Sequence, residues 1–204
     1  MTLSIWLSLL MICLLGAMSP GPSLAVVAKH SLAGGRRHGI ATSWAHALGV
    51  GGYALLTLLG LAVVLKQSPT LFMFISYAGA AYLAYLGVNA LRSKGGVAAK
   101  LAAGEQASFS EAARDGLMIS LLNPKLALFF LALFSQFVAV GTEVSSRAII
   151  VATPLLVDGL WYTFIAIVLS NPNVLDKLRT KAQMIDRLSG IVLILLAFRV
   201  VWQA

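Results

Sequence analysis

Two proline-bearing stretches, Ser19-Pro20-Gly21-Pro22-Ser23 and Asn123-Pro124-Lys125, each fall inside an apolar run long enough to cross a bilayer. Proline lacks a backbone donor and its ring resists continuation of an α-helix, so the helix must open at both places. Hydrocarbon offers an opened backbone no hydrogen-bond partner, and such a break is tolerated only where protein buries it or a watery cavity meets it. Paired breaks in corresponding places of two halves point to a binding site.

The wider composition agrees with a membrane setting. Of the 204 residues 59% are hydrophobic and only 11% charged, with a mean hydropathy of +0.90, which excludes an ordinary soluble domain. Roughly 20 apolar residues cross a core of about 30 Å. Six runs of about that length are expected, at residues 3–28, 39–65, 69–91, 116–140, 148–169 and 187–203. The first charged side chain is Lys29. With no basic residues ahead of the first run, and with Pro20 and Pro22 disfavouring cleavage near Ala17 to Ser19, that run reads as a span rather than a secretory signal.

Basic residues set the expected topology. Lys29, Arg36 and Arg37 follow the first run, Arg92, Lys94, Lys100 and Arg114 the third, and Lys177, Arg179, Lys181 and Arg187 the fifth. The other side carries Lys66, Arg147 and Arg199, so both termini are expected outside the cytoplasm. The net charge of +8 therefore reports topology, and no nucleic-acid partner is inferred from it. Cys13 is the only cysteine, which rules out an intramolecular disulfide and suggests a buried thiol.

The fold class expected is all-α, with six transmembrane helices in two inverted three-helix repeats and with helices 1 and 4 broken. Residues 1–92 form the first repeat, 93–108 a Gly- and Ala-rich cytoplasmic linker, and 109–204 the second repeat. Ser108 or Ser110 is expected to cap an amphipathic helix through Phe109, Ala112, Ala113 and Leu117. Shifting the chain by 104 residues superposes Pro20 on Pro124, and small residues recur between the third and sixth runs.

The SPGPS stretch, GGRRHG at 34–39, AGAAYLAYLGVNALRS at 78–93, GLMISLLNPKLALFF at 116–130 and the Gln136-Phe137 pair resemble the lysine exporter and homoserine/threonine exporter superfamily (LysE/RhtB). The resemblance extends over essentially the whole chain. It implies a bacterial inner-membrane exporter of amino acids or related solutes, driven by the proton gradient. Two positions depart from the pattern: Ser135 stands where members commonly have proline, and Val50 where many have an acidic or polar residue.

Asp158 lies halfway along the fifth run, the only carboxylate deep in any of them, and an ionised group there costs at least about 2.5 kcal/mol. Such a cost suits a proton carrier, or a structural carboxyl that binds hydroxyls or a buried cation. It also resembles the family's acidic position in that run. Lys125 is about 12 Å inside the fourth run and within reach of Asp158, so an ion pair is expected, with substrate-carboxylate binding and snorkelling as alternatives. His46 is read either as a second proton-coupling group or as a histidine bonded between helices.

The substrate site is expected to comprise Ser19, Pro20, Gly21, Pro22, Ser23, Asn123, Pro124 and Lys125. Its freed amides would suit a carboxylate and its freed carbonyls an ammonium group. His30, His38 and His46 are too scattered for a metal site, and neither a metal nor a cofactor is expected. An enzyme would need an H-E-x-x-H helix or a serine with a base, and the sequence displays neither. Gly49, Gly52, Gly60, Gly79 and Gly87 suit close helix packing, within the chain or in a homodimer. An acidic wall would favour basic substrates. With one deep acid and a lysine near it, a neutral amino acid such as threonine or homoserine is favoured.

Overall fold

A computed structural model describes residues 1–19, 21–92, 107–138, 143–170 and 181–203, and all regular structure among them is helical. The helices are α1 (Leu3–Met18), α2 (Pro22–Gln67), α3 (Pro69–Arg92), α4 (Phe109–Leu121), α5 (Pro124–Ser135), α6 (Val144–Leu169) and α7 (Ala182–Gln203). Pro20, most of the expected linker, and the basic residues Lys177 and Arg179 lie outside the described residues.

Both expected breaks are present. α1 stops at Met18 with Ser19 extended behind it, and α2 restarts at Pro22, whose missing N–H costs nothing in a first helical turn. α4 stops at Leu121, and α5 restarts at Pro124 with Asn123 as its cap, the Asn123 side chain accepting from Lys125 N at 3.0 Å. The pair α4 and α5 bends by 53° at this break. At the other end of α4, Ser108 is the N-cap, closed reciprocally by Glu111 in a capping box.

The Arg36-Arg37 stretch that follows the first expected run falls within α2. The helix runs for 46 residues, about 69 Å if straight and more than twice the depth of a hydrocarbon core. It is not straight, because Gly35 has φ 74°, a left-handed conformation that favours glycine. Residues at nearly equal distances from Gly35 meet: a Cβ at Gly39 would overlap Ser31 Oγ, and His46 bonds Ser23 at 2.8 Å. The limbs 22–34 and 36–67 therefore form an antiparallel helical hairpin, with the basic pair just past its tip.

α2 packs mainly on α6 and α4, and α3 on α7. Small residues allow the close approaches. A Cβ on Gly116 of α4 would overlap the Thr42 carbonyl oxygen, one on Gly79 would come within 2.8 Å of Ala132 Cβ, and Gly87 faces Gly190. Gly52 and Gly60, read from sequence as packing glycines, have open space instead. The larger core cluster gathers Leu9, Leu58, Leu83, Phe130, Phe134, Ile150 and Leu193 from six helices. Large apolar side chains such as Leu56, Phe74, Leu160 and Leu195 face outward, as lipid contact requires.

Among the described residues three helical stretches are long and apolar enough to cross a membrane, Pro22–Leu61, Pro69–Asn89 and Val144–Leu169, or four if the bent α4–α5 pair is one span. α1 is apolar but, at 16 residues, only about 24 Å long.

Candidate functional site

The two helix breaks meet. Lys125, at the start of α5, reaches across to the first break, where its Nζ donates to both the carbonyl oxygen and the hydroxyl of Ser19 at 2.9 Å. Gly21 makes room for it, since a Cβ there would lie 3.2 Å from Lys125 Nζ. Asn123 Nδ2 donates to Ser23 Oγ at 3.3 Å, and its orientation is fixed because its Oδ1 already caps α5. Two segments about a hundred residues apart are thus tied by polar groups rather than by packing alone.

Beside this junction Asp158 and His46 form a buried pair, Nδ1 to Oδ2 at 2.7 Å, and the other ring nitrogen of His46 meets Ser23 Oγ at 2.8 Å. His46 is fully buried, and Asp158 and Ser23 are 6% and 5% exposed, so water does not substitute for these bonds. Tyr162, one turn beyond Asp158, sets its ring edge-on to His46 at 5.4 Å between centroids and presents its hydroxyl to Ser23. The sequence expectation of a Lys125–Asp158 ion pair is corrected: Asp158 pairs with His46, which the returning limb of α2 brings against α6, while the bend before α5 aims Lys125 along the break at Ser19.

A cavity of about 40 Å³ lies between these groups. Its polar wall includes Ser19, Gly21, Ser23, Asn123, Lys125 and Asp158, and its apolar wall comes from Cys13, Val50, Phe129, Phe130 and Pro154. That volume holds about three waters at roughly 10–15 Å³ each. Of the residues expected at the site, Ser19, Gly21, Ser23, Asn123, Lys125 and Asp158 line the cavity, and His46 stands behind Ser23 and Asp158. Pro22 and Pro124 act through the helix starts they impose. Among the described residues no group of three or more His, Cys, Asp or Glu is arranged for a metal.

Sequence reasoning missed that Ser23 has a base. Ser23, His46 and Asp158 are bonded in the order of a nucleophilic serine, its histidine and an orienting carboxylate, but their separations of 23 and 112 residues conceal this. It also missed a second cluster toward the hairpin tip, where Asp115 of α4 accepts from Lys29 at 3.5 Å and bonds buried His30 at 3.0 Å. The 85 residues between His30 and Asp115 hide that pairing in the sequence.

The family model of the LysE type translocator matches residues 14–204. The chain belongs to that family. This LysE type translocator is 37% identical to an uncharacterised membrane protein of Pseudomonas aeruginosa over 156 residues, covering 72% of the chain and 70% of the relative. It is 30% identical to the Escherichia coli membrane protein YahN over 188 residues, 91% of the chain and 83% of the relative. A threonine efflux protein of Escherichia coli is 27% identical over 191 residues, with 92% and 93% covered. No solved structure matches the chain. As the family and the outward-facing apolar helices agree, the chain is a multi-pass membrane protein of the efflux type.

Proposed function

We propose that this translocator is a secondary-active exporter of amino acids or their derivatives, neutral ones such as threonine or homoserine above all, working by proton antiport with alternating access. The observation that carries the reading is the junction of the two broken helices over a cavity walled by a buried His46–Asp158 pair. Lys125 and Ser19 supply a cationic, donor-rich end for a carboxylate, and Asp158, His46 and Ser23 supply the opposite end for an ammonium group and a proton. The relation to a threonine efflux protein over nine-tenths of the chain supports the substrate class.

In this reading α1 with limb 22–34 forms the first span, broken at Ser19 to Gly21, and limb 36–67 the second. α3, the bent α4–α5 pair, α6 and α7 complete six spans in two inverted repeats, 1–92 and 109–204, joined by the cytoplasmic linker 93–108. Both termini face the periplasm of a bacterial inner membrane. Substrate binds from the cytoplasm, the pair exchanges its proton, and one repeat rocks against the other.

The test is efflux from proteoliposomes loaded with a panel of amino acids, with and without an inward proton gradient. Gradient-stimulated loss of one chemical class is expected, and an Asp158→Asn protein should lose the stimulation while keeping downhill exchange. Wild-type protein, shown to be folded, that releases no amino acid under either condition would overturn the reading.

A further inference from the structure

We infer that Ser23 couples substrate to proton by changing from an acceptor to a donor when the His46–Asp158 pair takes up a proton; this rests on the antiport reading above. The argument is a count of hydrogens and lone pairs. A serine hydroxyl has one hydrogen to give and two lone pairs to fill. Asn123 fills one lone pair permanently, since capping of Lys125 N by its Oδ1 leaves only its Nδ2 to face Ser23.

The state of His46 decides the rest. At 2.7 Å a proton must lie between Nδ1 and the Asp158 carboxylate, because two lone pairs facing each other at that distance repel. With no further proton on the pair, Nε2 carries a lone pair and accepts the Ser23 O–H at 2.8 Å. Ser23 then has one lone pair left for a cation. When the pair gains a proton at the imidazole, Nε2 bears hydrogen whether the charge stays there or the shared proton passes to the Asp158 oxygen facing Nδ1. Nε2–H then donates to Ser23, both lone pairs are filled, and the O–H swings to the cavity or to the Tyr162 hydroxyl. Ser23 then offers an ammonium group no lone pair, and only the weakened Asp158 carboxyl remains to face it.

Proton loading therefore expels the α-ammonium of the substrate, and ammonium binding favours proton release, which is the sign that antiport requires. The net charge of the pair changes in the same sense, from −1 to zero. Other ionisable groups facing this chain are Cys13 from α1, Lys125 from α5 and Tyr162 from α6. On α4, Asp115 is engaged with His30 and Lys29. Lys125 holds Ser19, which leaves it suited to the carboxylate end rather than to this exchange.

The test is equilibrium binding of radiolabelled L-threonine, replaced by the strongest substrate of the efflux panel where that is another amino acid, to purified protein across a pH series. Wild-type protein and Ser23→Thr, which keeps the hydroxyl, should change affinity about tenfold per pH unit on the acid side. Ser23→Ala, which removes the hydroxyl, and Asn123→Ala, which frees a lone pair in the proton-loaded state, should each change less than threefold per unit. N-acetyl-L-threonine, which lacks the ammonium charge, should show no such slope with wild-type protein.

A folded Ser23→Ala or Asn123→Ala protein that keeps the tenfold slope overturns the inference while leaving the exporter reading intact. Wild-type protein that exports nothing from the panel overturns the exporter reading itself. The Asn123→Ala arm decides the matter if Ser23→Ala does not fold.

Discussion

Replacing Gly116 with alanine should loosen the contact that sets α4, and hence the second break, against the α2 hairpin. A Cβ there would overlap the Thr42 carbonyl oxygen and lie 3.0 Å from its carbon and Cα, all of them backbone atoms that cannot rotate away. An ordinary contact of about 3.5 Å is restored only if the helices part by about 1 Å. The same displacement stretches the Thr42 Oγ1 to Ala112 carbonyl bond from 3.0 Å beyond bonding range. Overpacking costs about 1–3 kcal/mol and the lost bond about 1 kcal/mol more, together about 2–4 kcal/mol. At roughly 2–4 °C per kcal/mol for a chain of this size, the melting midpoint should fall by about 4–16 °C. Intrinsic fluorescence of the four tryptophans in detergent reads the transition. Gly52→Ala is the control, because a Cβ at Gly52 meets nothing within 4 Å and alanine favours the helix. If Gly116→Ala melts within a degree of Gly52→Ala, the close approach of α4 to α2 is wrong.

Further outcomes follow from the same contacts. Lys125→Met keeps the length of the side chain but removes both bonds to Ser19. Amino acid efflux should then need about 10–100-fold more substrate for half-saturation, corresponding to about 1.5–3 kcal/mol, with amines that lack a carboxylate affected less. Asp115→Ala strands the buried His30 imidazole and should cost about 1–3 kcal/mol in thermal unfolding, whereas Lys29→Ala removes only a half-exposed pair and should cost under about 1 kcal/mol. Cys13 is the sole thiol and lines the cavity, so labelling by a small maleimide should be slow and slower still with substrate, as measured by intact mass. A fluorophosphonate should leave Ser23 unmodified in the same assay, because Ser23 is buried beside a cavity of about 40 Å³, too small to admit the reagent.

The breaks were legible in the sequence because proline acts locally: Pro22 and Pro124 suit the first turn of a helix, where a missing N–H is no loss, although Pro154 within α6 shows that a proline alone does not end one. The cap at Ser108 was legible for the same reason, with Glu111 at the right spacing. Which polar groups would meet was not. Asp158 was identifiable by its cost in an apolar run, but choosing His46 over Lys125 as its partner depends on how the α2 hairpin and the 53° bend orient two helices. Neither orientation is encoded in hydropathy. The turn at Gly34-Gly35 was not legible either: only the left-handed φ of Gly35 shows that the chain turns there with helix on both sides. Gly52 and Gly60 show the limit of composition, since it does not tell a small residue packed within the chain from one on an open face.

The hairpin at Gly35 also fixes the order in which the site comes into being on the ribosome. Ser23 and His46 are 23 residues apart and share one helical hairpin, so their bond forms early from neighbouring sequence. Asn123 and Asp158 arrive roughly a hundred residues later. When α6 enters the bilayer, the costly carboxylate finds an imidazole already in place at membrane depth. A chain stopped before that helix would carry the waiting histidine without its acid.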